Sequence, residues 1–262
     1  MLTISKTLEN LDSKCALIPF LTAGYPNYQA TIDILYILDK RGADIIELGI
    51  PYSDALADGP IIQESSRIAI NNNIYITQVL EIMKKVSPSI RAPIIIFTYY
   101  NPVLSRGIAR FLLDISSAGA KGLIIPDLPL EESDILIKLC HIYNIELILF
   151  ISPGTSKSRI SAILSKSPGC IYLLTSYGVT GVRKNLAFKV NNLVDYIKSS
   201  TSKKIILGFG ICNTKQVDQV SAWQIDGIVI GSAFINKITE SVRNKSYRVL
   251  ESFCTTIKSA MI

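Results

Sequence analysis

Histidine is all but missing from this 262-residue chain, occurring once as His141. One imidazole cannot build a His-rich metal centre, and this one sits just ahead of the strand-like run IELILF, away from the motifs below; a structural role fits it best. Cysteine is sparse as well. Its five copies (Cys15, Cys140, Cys170, Cys212 and Cys254) form no C-x-x-C pair. An odd, scattered set argues against a disulfide framework and a zinc site, and fits a reducing compartment where thiols pack as small hydrophobes. No apolar run reaches the roughly 20 residues of a membrane span. The opening MLTISKTLENLDSKCAL carries acidic residues and has neither an apolar h-region nor an Arg-rich amphipathic pattern. No import signal is expected there, and the protein is expected to act where it is made.

Charged residues are few, 18% against 48% hydrophobic, so disorder is excluded and a large core is available. The formal net charge of +6 raises the question of nucleic acid. Yet Lys and Arg are spread along the chain, with no aromatic-interleaved basic stripe, so no nucleic-acid partner is expected. About one residue in six is Ile. Ile, Lys and Asn share AT-rich codons, which points to an AT-rich genome such as that of a plastid or an endosymbiont. Plastid stroma or a bacterial-type cytoplasm is the expected location.

Short β-rich apolar runs alternate with longer amphipathic stretches. The predicted strands are Ala16–Leu21, Asp44–Leu48, Ile94–Thr98, Gly122–Ile125, Glu146–Phe150, Cys170–Leu174, Lys204–Gly208 and Gly227–Ile230. Most are continuous Ile/Leu/Val runs, as parallel strands buried on both faces should be. Helical patterns cover Thr31–Lys40, Asn73–Val86, Ile108–Ala118, Glu132–Tyr143, Ser158–Lys166, Leu193–Ser199 and Thr214–Ala222. Gly42, Gly119 and Pro168-Gly169 punctuate helix ends. Eight strands with eight crossovers and no change of composition predict a single (β/α)8 TIM-barrel domain over 1–262, with extra N-terminal and C-terminal helices. A doubly wound open sheet is the alternative; the first loop, TAGYPN, lacks its G-x-G-x-x-G fingerprint.

In such a barrel, chemistry belongs at the C-terminal ends of the strands. The second strand ends in Ile46-Glu47-Leu48-Gly49. A carboxylate inside an apolar run is costly to desolvate and tends to raise its pKa, which suits it to donate and accept a proton near neutrality. The competing reading is a structural ion pair with a Lys or Arg. Asp58 follows eleven residues later in a Pro-, Ser- and Gly-containing loop, where an aspartate also commonly caps a helix. Asp54 invites that plainer reading even more. Taken together, Glu47 and Asp58 suggest divided acid and base roles. Further along, the loop from Thr175 to Arg183, with Gly178 and Gly181, has the polar character of a lid. Gly208-Phe209-Gly210 and Gly231-Ser232, after strands seven and eight, would let backbone N–H groups and a helix N-terminus meet a phosphate.

At this point the sequence resembles the tryptophan synthase α-subunit family. IELGIPYSDALADG (46–59) matches that family's signature almost position for position. Pro19-Phe20, Thr22-Ala23-Gly24, Tyr100-Asn101-Pro102, Pro126-Asp127-Leu128-Pro129, Tyr172-Leu173-Leu174, Gly178-Val179-Thr180-Gly181, Gly208-Phe209-Gly210-Ile211 and Gly231-Ser232-Ala233 extend it in order. The resemblance implies retro-aldol cleavage of indole-3-glycerol phosphate to indole and glyceraldehyde 3-phosphate, with Glu47 as acid–base residue and Asp58 as the second catalytic carboxylate. It implies that Phe20, the Tyr99–Tyr100 region and Tyr172 line the indole site, that Thr180 in the lid orders Asp58, and that Gly181, Gly208, Gly210, Gly231 and Ser232 serve substrate and phosphate. No metal or organic cofactor is implied in this subunit.

The same resemblance implies an α2β2 complex with a pyridoxal-phosphate β subunit, met by the loop Pro51–Pro60 and by Tyr100–Pro102. Ala55 departs from the proline that many relatives carry, which predicts a looser loop around Asp58. The rival readings are another phosphate-binding barrel of tryptophan biosynthesis, which would lean on a strand-end Lys or a Cys–Asp pair, and a non-catalytic barrel that only activates a β partner.

Overall fold

The computed structural model describes residues 3–261 except 12, 175–182, 209, 211 and 212, and of 183–189 only the backbone. Eight parallel strands close into a barrel: β1 (Ala16–Thr22), β2 (Ile46–Gly49), β3 (Ile94–Phe97), β4 (Gly122–Ile124), β5 (Glu146–Ile151), β6 (Ile171–Leu174), β7 (Ile205–Gly208) and β8 (Gly227–Ile230). Each pairs with the next, and β8 returns to β1 through Pro19 opposite Ile230. Before the barrel stands α1 (Ile4–Glu9). The crossovers carry α2 (Tyr28–Lys40), α3 (Pro60–Asn71), α4 (Ile76–Val86), α5 (Tyr100–Arg106), α6 (Ile108–Ser117), α7 (Ser133–Ile142), α8 (Lys157–Lys166), α9 (Arg183–Ser200) and α10 (Thr214–Ser221), and α11 (Ser232–Arg243) and α12 (Arg248–Ser259) follow β8. The chain is thus a (β/α)8 barrel with added terminal helices.

Strand side chains alternate between two apolar clusters, which is why the strands read as unbroken Ile/Leu/Val runs. Ile18, Phe20, Ile95, Phe97, Ile124, Ile148, Tyr172, Ile206 and Val229 fill the barrel interior. Leu17, Leu21, Ile46, Leu48, Ile94, Ile96, Leu147, Leu173 and Leu207 pack outward against the helices. Each buried aliphatic side chain contributes about 1.5–3 kcal/mol relative to exposure.

Local signals set the helix ends. Asn27, Ser156 and Asn213 cap α2, α8 and α10 by accepting from the backbone N–H three residues on. Gly42 and Gly119, at φ +93° and +101°, end α2 and α6 in a conformation glycine tolerates best. Two helices, α3 and α5, are additions to the pattern expected from sequence. At α3 the helix starts directly after Gly59, because Pro60 at its first position has φ already set for a helix.

Beneath the barrel, Ile4 and Leu8 of α1 plug the interior. Glu146, at the start of β5, accepts hydrogen bonds from Ser5 N (3.0 Å), Ser5 Oγ (2.5 Å) and Cys170 N (2.9 Å). Asp44, expected within the second strand, lies before it. Its carboxylate accepts from Leu17 N and from Lys258 Nζ, both at 2.7 Å, pinning α12 to the barrel.

Candidate active site

Along β2 the two-residue alternation turns Ile46 and Leu48 toward the helices and Glu47 into the barrel mouth, level with Phe20 on β1. Glu47 is 2% exposed, and its Oε2 finds no hydrogen-bond partner among the described residues. Burial, and after it the charge of Asp58, pushes its pKa up to about 8. No Lys, Arg or His stands among the described residues lining the cavity, so among the described residues no structural ion pair of the kind weighed from sequence holds Glu47.

Asp58 arrives from the loop between β2 and α3. Gly59, not Asp58, occupies the N-cap of α3, which removes the capping explanation; Asp54 is exposed to solvent. The Tyr99 hydroxyl donates to Asp58 Oδ2 at 3.0 Å and accepts from Ala57 N at 3.1 Å. Tyr99 is itself held between the ring of Tyr52 (5.2 Å) and the edge of Phe97 (6.0 Å). Burial raises the Asp58 pKa to about 6 against the opposing hydrogen bond from Tyr99. Burial and then the Asp58 charge push the Tyr99 hydroxyl far above its ordinary range, so it remains a donor. Burial thus pushes both carboxyl groups toward their neutral forms, Glu47 further than Asp58.

Glu47 and Asp58 share a cavity of about 460 Å³, within the range of small-molecule sites. Its middle is aromatic. Phe20 meets Phe97 edge-on at 5.7 Å, and Phe150 lies against Tyr172 at 4.8 Å. Gly208 leaves room for that arrangement, since a Cβ there would collide with the Tyr172 ring. At the far rim Gly210, Gly231, Ser232 and Ala233 line the wall. Gly231 is the N-cap of α11 and brings no capping side chain, so first-turn N–H groups are free of a local side-chain acceptor. A helix N-terminus of this kind attracts an anion. The cavity thus offers a proton donor, a carboxylate, an aromatic slot and an anion cradle. Among the described residues no group of three His, Cys, Asp or Glu side chains could hold a metal.

Of the residues singled out from sequence, Phe20, Glu47, Asp58, Tyr172, Gly208, Gly210, Gly231 and Ser232 line this one cavity. Thr180 and Gly181, with the expected lid, lie outside the described residues. Tyr100 does not line the cavity: it opens α5, its backbone N–H bonds Asp127 Oδ1 (2.8 Å), and the neighbouring Glu132 charge acts on its hydroxyl. The tyrosine that reaches Asp58 is Tyr99. Period-two alternation from Ile95 through Phe97 was the available signal, since it puts 99 on the inner face and 100 on the other. Phe97, Phe150, Leu174, Ile62 and Asn236 also line the cavity and were not singled out.

The sequence model of one protein family, Tryptophan synthase alpha chain, matches residues 7–261. A curated protein named tryptophan synthase alpha chain, from Gracilaria tenuistipitata var. liui, is 58% identical over 98% of this chain and 96% of its own. Other relatives so named come from red algae and cyanobacteria. Among solved structures, tryptophan synthase subunit alpha from Legionella pneumophila superposes with a TM-score of 0.90 at 30% identity, covering 100% of this chain and 98% of that one. A chain of a tryptophan synthase α2β2 complex from Pyrococcus furiosus gives 0.86 at 31% identity, covering 94% and 98%.

Proposed function

The chain belongs to the tryptophan synthase alpha chain family, and from that membership we propose how its residues carry out the alpha reaction. The chain is a lyase of tryptophan biosynthesis that works with a β subunit. Its reaction splits indole-3-glycerol phosphate into indole and glyceraldehyde 3-phosphate. Glu47, protonated at neutral pH, gives its proton to indole C3. The ring becomes an indolenine cation that can accept an electron pair, and the Asp58 carboxylate accepts the ring N–H and offsets the positive charge. The carboxylate left on Glu47 then takes the proton of the side-chain hydroxyl. A C=O bond forms, the C–C bond to C3 breaks, and its electron pair restores the aromatic ring. Glu47 ends as it began. Phe20, Phe97 and Tyr172 hold the indole, and the N-terminus of α11, with Gly231 and Ser232, holds the phosphate.

One observation carries this reading: a buried glutamate with an oxygen unpartnered among the described residues, in one cavity with a second carboxylate and a helix N-terminus. The direct test is indole release from indole-3-glycerol phosphate. Slow release by the chain alone and faster release with a β subunit are expected; none in either case would refute it.

Two further results are expected. The rate should rise with pH as Asp58 ionises through about 6 and fall as Glu47 loses its proton through about 8. The two groups interact, so these limbs belong to the pair. A flat kcat/KM profile between pH 5 and 9 would remove the division of roles. Gly231→Val should raise KM about tenfold with a smaller effect on kcat, as lost ground-state binding does. Even a lone Cβ there would sit 3.3 Å from Ile62 and 3.5 Å from Phe20, crowding the anion end of the cavity. An unchanged KM would displace the phosphate from that position.

Residues 1–262 act as one domain in this reading, supported by the closed barrel and by the Lys258–Asp44 pair that ties the last helix to it. No helix among the described residues is long and apolar enough to cross a membrane. Red-algal and cyanobacterial relatives, together with the abundance of Ile, Lys and Asn, whose codons are AT-rich, support the plastid stroma as location, and the genomic position of the gene would decide it.

A further inference from the structure

We propose that Gln63 of α3 is a positioning residue for Asp58, its side-chain amide latching the loop between β2 and α3 so that the carboxylate faces the cavity. The inference rests on the role assigned to Asp58 above.

The loop does little to hold itself. Its internal backbone bonds include Leu56 N to Asp54 O (2.8 Å) and Asp58 N to Ala55 O (3.1 Å). Leu56, 91% exposed, offers no anchor, and Ala55 lacks the ring that would fix its φ. Ala55 itself is buried among the barrel-interior residues and Tyr52 lies against Tyr99, and two side chains outside the loop hold the segment 55–58. Tyr99 grips the Asp58 carboxylate and the Ala57 N–H. Gln63 grips the backbone: Nε2 donates to Ala55 O at 3.1 Å and to Asp58 O at 3.0 Å. Those carbonyls stand at the two ends of the turn 55–58, so one NH2 group closes it. Gln63 is placed to do this because its own backbone N–H bonds Gly59 O at 3.0 Å, next to Asp58.

The chemistry demands an amide. Two carbonyl acceptors need two donors, and a carboxylate of the same size would present only acceptors to them. The side chain is exposed, so changing it removes no packing from the core. In Gln63→Glu the latch is reversed while the helix keeps a residue suited to its first turns.

The experiment compares the full-length parent with Gln63→Glu and Gln63→Ala, measuring indole release alone and with the β subunit, together with thermal unfolding. Alone, both variants should lose about tenfold in kcat, the scale of one or two lost hydrogen bonds, with KM within about twofold and little change in Tm. Adding β, which the family resemblance implies meets this loop, should narrow the loss to about threefold or less, because contact with a partner can order what the latch no longer does. Unchanged kcat overturns the proposal. So does a loss that persists equally in the complex, or one that follows a matching fall in Tm. A parent that releases no indole would bring down the assigned reaction and this inference together, whereas an active parent with unaffected variants removes Gln63 alone.

Discussion

Glu47→Gln should leave a chain that binds indole-3-glycerol phosphate almost as the parent does and turns it over about 10³-fold more slowly, within the range that one positioned acid–base group supplies. Gln keeps the shape of the side chain and the wall of the cavity. Its amide can neither give a proton to C3 nor take one from the hydroxyl. Single-turnover indole release and ligand titration separate the two effects, and undiminished turnover would end the assignment. The same variant carries a stability signature. Burial first, and the Asp58 charge second, raise the Glu47 pKa from 4.5 to about 8. Between those values the folded chain keeps a proton that the unfolded chain releases. The resulting stability is fully present below about 4.5 and is lost as pH rises through about 8, at about 1.4 kcal/mol per unit. A variant that is neutral throughout escapes this loss. It should melt at nearly the parental temperature at pH 5 and clearly above it at pH 9. Equal melting at pH 9 would contradict an uncompensated carboxylate at this position.

Asp58→Asn should cost about 10²-fold or more in kcat, because the neutral amide no longer balances charge on the protonated ring. It should also move the pH profile in a way that simple damage to the loop would not. The Asp58 charge is the second cause of the raised Glu47 pKa, so its removal lets Glu47 ionise at lower pH. The alkaline limb therefore shifts to lower pH, while the acid limb assigned to Asp58 disappears. An alkaline limb that stays in place would show that the two carboxyl groups do not sense each other. An undiminished rate would show that the reaction does not need Asp58.

Much of this site was legible before any coordinates. Glu47 stands out as a charge within an apolar run at the C-terminal end of a strand, and the glycines after β7 and β8 stand out by spacing. Other parts were ambiguous for physical reasons. Asp58 could equally have been a cap until Gly59 was seen to hold that position. Neighbouring tyrosines at 99 and 100 are chemically alike, and only the alternation of β3 running into the start of α5 separates the inward one from the outward one. Gln63 gave no signal, since a polar residue on an exposed helix face is ordinary. The helices α3 and α5 fell within stretches to which no helix was assigned.

Two buried glutamates mark the boundary between what is local and what is not. Both Glu47 and Glu146 lie in apolar strands and both are nearly inaccessible. Periodicity along the chain determines burial, because alternation and helical spacing are properties of neighbouring residues; element order, barrel closure and the inward turn of Glu47 follow from it. Hydrogen-bond satisfaction is decided by groups far away in the chain. Glu146 is quieted by Ser5, 141 residues distant, and by the Cys170 N–H, whereas Glu47 keeps an oxygen with no partner among the described residues and a second acid for a neighbour. Only the closed barrel, by bringing strand ends together, separates the structural glutamate from the one proposed to react.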